Sequence, residues 1–168
     1  MHAAAMEWIE AHATDKKVAV LDVGGRDING TARALFPKAT EYLVVDLMEH
    51  SSVDLAVDVL TLKSKGAKAV GPFDVIVYAE VAEHSPDWAA HIAHMHTLMA
   101  ADGCCIITAA GPQRHPHSGI DGSPIRSDEF YENLSEDLLR EAIEVVSDDY
   151  LINSKGADVR AVFYKGSN

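Results

Sequence analysis

The stretch Val18–Gly30, VAVLDVGGRDING, decides how the rest of the chain is read. Val18 to Val23 is an almost continuous apolar run with Asp22 near its end, the pattern of a strand buried on both faces of a parallel sheet. A sharp turn must follow, because Gly24 and Gly25 permit backbone angles and close approaches that a side chain forbids. The apolar spacing from Ile28 to Leu35 predicts a helix next, closed by Pro37. Strand, glycine turn and helix would aim backbone N–H groups at an anionic or polar ligand. The glycines run Gly24-Gly25-Arg26-Asp27-Ile28-Asn29-Gly30, which is not the G-x-G-x-x-G of a dinucleotide fingerprint. Asp22, pointing into the mouth of such a site, would repel a pyrophosphate and favour a ligand carrying an ammonium group.

The whole chain sets bounds around this cradle. Its 168 residues are the size of one domain with a single core, burying roughly two-thirds of the surface that the unfolded chain exposes. Lys and Arg number 14 against 26 Asp and Glu, and the formal charge of −12 argues against duplex nucleic acid as a partner. Cys104 and Cys105 are neighbours in an apolar run, so they point to opposite faces of a strand and do not pair; a reducing cytoplasm is the expected location. Met1 to Ala13 is too short and too rich in His and Glu for a signal peptide, and no apolar run approaches the ~20 residues of a membrane span. A soluble protein without a membrane partner is expected, with its oligomeric state left open.

Outward from the cradle, strands and helices alternate. His2 to His12 has Ala5, Met6, Ile9 and Ala13 on one stripe and predicts a short helix before the first strand. Tyr42 to Val45 predicts a second strand ending in Asp46. A carboxylate there sits beside the switch-point crevice and can accept from two ribose hydroxyls, or it simply caps a helix. Val53 to Val57 predicts a third strand before Asp58, then a loose helix from Thr61 to Lys68. Phe73 to Ala79 predicts a fourth strand, its Tyr78 to Glu80 end reaching the ligand side. Ser85 is the expected cap of a helix from Pro86 to about Ala101, with Trp88, Ile92, Met95, Leu98 and Met99 on its apolar stripe. His91, His94 and His96 do not share one face of that helix, which argues against a metal there. Cys104 to Ala110 predicts the fifth strand. Gly111 to Ser135, rich in Gly, Pro and polar residues, predicts a long loop that covers the crevice as a lid and presents His115, His117, Arg126, Tyr131 and Asn133. Ser135 caps a helix over Glu136–Glu144. Val145 to Ile152 and Asp158 to Tyr164 then form a hairpin around Ser154-Lys155-Gly156.

The cradle with its terminal acid Asp22, and the stretch FDVIVYAEVAEH from Phe73 to His84, resemble motif I and the fourth-strand motif of class I S-adenosylmethionine-dependent methyltransferases. Arg26 stands where that family usually has a second spaced glycine. The resemblance covers nearly the whole chain. It implies an α/β, doubly wound, mostly parallel seven-stranded sheet with helices on both faces and an antiparallel C-terminal hairpin, the Rossmann-like methyltransferase fold. It also implies S-adenosyl-L-methionine as cofactor, held by Asp22, Gly24, Gly25, Arg26, Asn29, Asp46, Leu47, Asp58, Val59, Ala79 and Glu80, with Asp58 taking the exocyclic amine of adenine. The implied reaction is methyl transfer to an O, N, S or C nucleophile, with a small molecule as the default substrate. Where the nucleophile must lose a proton, His84, His115 and His117 are the candidate bases. Two rivals stand beside this reading: a non-catalytic cofactor-binding or scaffold protein of the same fold, and a nicotinamide-dependent oxidoreductase.

Overall fold

A computed structural model of the chain describes residues 2–28, 30–63, 66 and 69–166. Its apolar runs become seven strands: β1 (Ala19–Val23), β2 (Glu41–Asp46), β3 (Leu55–Ala56), β4 (Phe73–Ala79), β5 (Met99–Ala110), β6 (Tyr150–Lys155) and β7 (Asp158–Tyr164). They hydrogen-bond in the order β3-β2-β1-β4-β5-β7-β6. The first five are mutually parallel, and β7 enters antiparallel between β5 and β6. This is the sheet that the resemblance implied. Successive crossovers run outward in opposite directions from β1 and β4, and the crevice of such a sheet opens at the carboxyl ends of that central pair.

The period of two along each strand divides the core into two layers. Val20, Val75, Val77, Ile106 and Val162 face helix α1 (Ala3–His12), which buries Trp8 and Ile9 against them. Trp8 Nε1 also donates to Ala161 O at 3.1 Å. Leu21, Ile76, Tyr78, Ile107 and Phe163 face the other way, onto α2 (Trp88–Leu98) and α3 (Glu136–Glu144). Cys104 and Cys105 fall on opposite layers and are both free thiols. Among the described residues, no helix is long and apolar enough to cross a membrane.

The helix expected over Ile28–Leu35 is not formed; only a 3-10 turn, Ala32–Leu35, follows the cradle. Gly30 has φ +103 and Thr31 is extended, and Asp27 Oδ1 accepts the Gly30 amide at 3.0 Å, so helical winding cannot begin before residue 32. Pro37 then ends it. Asn29 lies outside the described residues. The third strand shrinks to two residues, because the Asp54 carboxylate takes the Val44 amide at 2.8 Å where strand backbone was expected. A 3-10 turn at Val59–Thr61 ends where the loose helix was expected to begin; Leu62, Lys63 and Gly66 are not helical, and Ser64, Lys65, Ala67 and Lys68 lie outside the described residues. Helix α2 starts at Trp88 with Asp87 at its cap position, while Ser85 Oγ accepts only the Asp87 amide at 3.2 Å. Met99 leaves the helix to open β5. The hairpin turns at Gly156-Ala157, with Gly156 at φ +64, and Val145 lies outside the strand. Ser135 caps α3 as expected, its Oγ accepting the Leu138 amide at 3.2 Å.

Candidate active site

A crevice of about 960 Å³ opens where β1, β2 and β4 end. Its floor is the glycine turn. Gly24 has φ +72 and donates its amide to Val45 O at 2.7 Å, tying the exit of β1 to β2. A Cβ on Gly24 would collide with Cγ2 of Val81, and one on Gly25 would lie 2.5–2.8 Å from the carboxylate atoms of Asp22. Both positions therefore need glycine. Asp22 itself does not point into the mouth. The strand pleat turns it to the α1 layer with Val20, where it is 1 % exposed beneath Gly25 and accepts the Tyr42 hydroxyl at 2.7 Å.

Burial pushes the Asp22 carboxyl up to about 6, against the opposing Tyr42 hydrogen bond. Folding thus raises its pKa above the ordinary 3.8, so the stability it contributes is complete below pH 3.8 and is lost as pH rises through 6. The loss corresponds to about 3 kcal/mol. The stability of Asp22→Asn relative to the natural chain should rise by that amount between pH 4 and 7, measured by denaturant titration. A difference that stays flat with pH would contradict the buried, ionising carboxyl.

The other acids line the crevice. Asp46, at the tip of β2, accepts the Met48 amide through Oδ1 at 2.9 Å, and its Oδ2 lies 3.9 Å from Arg26 Nε. Leu47 beside it is 74 % exposed and forms part of the rim. Asp58 caps the Val59–Thr61 turn, its Oδ1 accepting the Leu60 amide at 2.8 Å, with Val59 buried against the crevice. Ala79 and Glu80 come from the end of β4, with Glu80 at φ +60. Glu80 Oε1 accepts from Thr108, and Oε2 pairs with Arg114 at 3.2 Å and His2 at 3.1 Å. Burial pushes its carboxyl up, but the hydrogen bond from His2 and the charges of His2 and Arg114 outweigh that and hold it below the usual range.

Arg26, in the place of a glycine, crosses the crevice. Its Nη2 donates to Gly119 O at 2.9 Å and Ile120 O at 3.1 Å, on the loop between β5 and α3. That loop is tied by a polar knot: Arg126 reaches Asp121 at 2.6 Å, Glu129 at 2.7 Å and Ser118 Oγ at 2.9 Å, and Asn133 Nδ2 donates to Gly111 O at 2.6 Å. Arg126 and Asn133 are spent inside the loop, which corrects the expectation that they face a substrate. His115 and His117 do line the crevice.

His117 and His84 stand edge to face, with ring centroids 4.9 Å apart. Tyr131 closes the triangle at 5.3 Å from His84 and 5.2 Å from His117. Burial, with the neighbouring His117, lowers the His84 pKa to about 4. Behind the rings lies Glu83, 0 % exposed, with both carboxylate oxygens lacking a hydrogen-bond partner among the described residues and its pKa pushed up to about 8 by burial and the charge of Glu80. Glu83, Arg114 and His2 were not expected at the site. Only Glu83 had a signal, in its place beside His84 at the end of the fourth-strand motif.

The chain matches the model of a family described as a methyltransferase domain over residues 1–142. None of the curated protein sequences matches it. Among solved structures it resembles the Burkholderia thailandensis 1,6-didemethyltoxoflavin-N1-methyltransferase, solved with 1,6-didemethyltoxoflavin and S-adenosylhomocysteine, at TM-score 0.67 and 18 % identity over 98 % of this chain and 79 % of that one. It resembles DhpI, solved with S-adenosylhomocysteine, at TM-score 0.70 and 15 % identity over 98 % and 84 %. A third is the N-methyltransferase NodS of Bradyrhizobium japonicum, at TM-score 0.61 and 16 % identity over 96 % and 84 %. With the family model spanning most of the chain and the sheet carrying the same architecture, this protein belongs to the methyltransferase domain family.

Proposed function

We propose that the protein transfers a methyl group from S-adenosylmethionine to a nucleophilic atom of a small molecule. The observation that carries this reading is one crevice holding, in order, a glycine cradle, two strand-end carboxylates and a histidine wall. The fold neighbours solved with S-adenosylhomocysteine support the choice of cofactor. The residues present fit it. Gly24 and Gly25 leave backbone where a side chain would fill the cradle, Asp46 keeps an acceptor oxygen for ribose hydroxyls, and Asp58 has one for an adenine amine. Leu47 and Val59 offer apolar surface to the base. The turn Gly24-Gly25-Arg26-Asp27-Ile28-Asn29-Gly30 lacks the G-x-G-x-x-G spacing, which disfavours the nicotinamide reading.

When bound, the cofactor supplies an electrophilic methyl carbon on a sulfonium. The protein's part is to align the acceptor with that carbon and exclude water. The 111–133 loop, latched to the cradle through Arg26, covers the acceptor side as the proposed lid. His84, His115 and His117 stand at that side to orient the nucleophile or take its proton. The net charge of −12 and the covered crevice favour a small acceptor over nucleic acid, and the two free thiols fit a reducing cytoplasm.

Asp46→Ala should weaken S-adenosylmethionine binding about tenfold to a hundredfold, since hydrogen bonds to a charged group are worth roughly 1.5–3 kcal/mol. Calorimetry on the folded variant tests this, and an unchanged dissociation constant would remove the assignment. Methyl transfer from labelled cofactor into a metabolite pool separates an enzyme from a scaffold that binds without turnover.

A further inference from the structure

We infer that Glu83, His84 and His117 form a site for one divalent transition-metal ion on the acceptor wall of the crevice. Each offers one ligand atom, and the three atoms lie within 4.8 Å of one another. Ligand atoms in a tetrahedral zinc centre are roughly 3.3 Å apart, given bonds of about 2.0–2.1 Å, so modest side-chain adjustments close the set. His84 sits on the turn after β4 and His117 on the covering loop, so the ion would join the sheet to the lid.

Two further features point to a ligand. Glu83 is completely buried, yet among the described residues neither carboxylate oxygen has a partner, and the amides of Glu83 and Ala110 face it without closing a hydrogen bond. His84 Nδ1 is buried and, among the described residues, unpartnered as well. Leaving such groups unpaired is costly, and a cation between them satisfies both. His117 Nδ1 lies 3.1 Å from His115 O. A carbonyl can only accept, so Nδ1 carries the hydrogen and Nε2 keeps the lone pair, the orientation by which a backbone carbonyl fixes a metal-ligating imidazole. The neighbouring set His2, Glu80 and Asp158 differs, because Arg114 already pairs with both of its acids.

Two imidazoles and one carboxylate suit Zn²⁺, Fe²⁺ or Co²⁺ better than the oxygen-seeking Mg²⁺ or Ca²⁺. Both histidines line the crevice, so the open coordination position would face the acceptor, where a bound hydroxyl would be acidified. That use rests on the methyltransferase reading; the binding of the ion does not.

The test is a titration of the chelator-treated full-length protein with Co²⁺, read by its visible ligand-field bands, and with Zn²⁺ by competition. One equivalent of Co²⁺ per chain is expected, with Glu83→Gln and His117→Ala each lowering affinity about tenfold or more and the surface variant His50→Ala unchanged. Circular dichroism and S-adenosylhomocysteine titration on the same variants check that the fold and cofactor site survive. Substoichiometric binding, or equal binding by Glu83→Gln and His117→Ala in their folded state, overturns the site. Loss of S-adenosylhomocysteine binding in the natural chain would instead overturn the methyltransferase reading.

Discussion

Gly24→Ala is expected to remove about 2–5 kcal/mol of stability and to weaken S-adenosylhomocysteine binding about a hundredfold. Two penalties combine. The backbone at this position has φ +72, where a Cβ costs roughly 1–2 kcal/mol. That Cβ would also collide with Val81 Cγ2, and overpacking of this kind costs typically 1–3 kcal/mol. Val81 has little freedom to yield, because it lies between Glu80, held at φ +60 by its bonds to Thr108, Arg114 and His2, and the turn that carries Glu83 and His84. Relief by displacement would move the crevice wall itself. The double variant Gly24→Ala with Val81→Ala should recover the steric part and keep the backbone part, giving a measurable coupling between the two positions. Denaturant unfolding and calorimetric titration read both quantities. If Gly24→Ala binds S-adenosylhomocysteine like the natural chain, the turn is not the cofactor cradle.

His84→Ala should lower kcat about a hundredfold or more and leave S-adenosylhomocysteine affinity within about twofold. The side chain lines the crevice, packs against His117 and Tyr131, and in the proposed reading faces the methyl acceptor. His117→Ala should resemble it, since the two rings form one wall. His115→Ala should change kcat by about threefold at most, because its carbonyl holds His117 Nδ1 and that bond survives the loss of its ring. Single-turnover assays with a labelled methyl group distinguish these outcomes. Full turnover in both His84→Ala and His117→Ala would remove the acceptor from this wall. A large loss in His115→Ala alone would move the chemistry to that ring.

Much of this arrangement was legible in short spans of sequence. The apolar run from Val18 to Val23, the acid ending each of the next two strand regions, Asp46 and Asp58, and the capping Ser135 all act through neighbours a few residues away. The alternation of strands and helices up to β5 marked a doubly wound sheet, and the family resemblance added its antiparallel C-terminal hairpin, which turns at Gly156. The placing of Cys104 and Cys105 on opposite layers needed only the pleat.

The sites of failure have a common cause. The Ile28–Leu35 spacing matched a helix, but Gly30 at φ +103 and extended Thr31 spend half of the available segment. Asp22 had the right residue type at the right strand end, yet the same pleat that sorted the cysteines turned it away from the crevice, under Gly25. Arg26 read as a defect in a glycine motif; in the folded chain it reaches Gly119 and Ile120, more than ninety residues away, and fastens the covering loop. Glu83 was one acid among 26 until burial and the approach of His117 made it, among the described residues, the unpartnered group behind the histidine wall. Backbone periodicity and capping are local energies, so the sequence by itself determined the run of strands and the crevice acids Asp46 and Asp58. Which side chains share a buried space depends on β4 lying beside β1 and on a loop returning over both, and only the tertiary structure decided that.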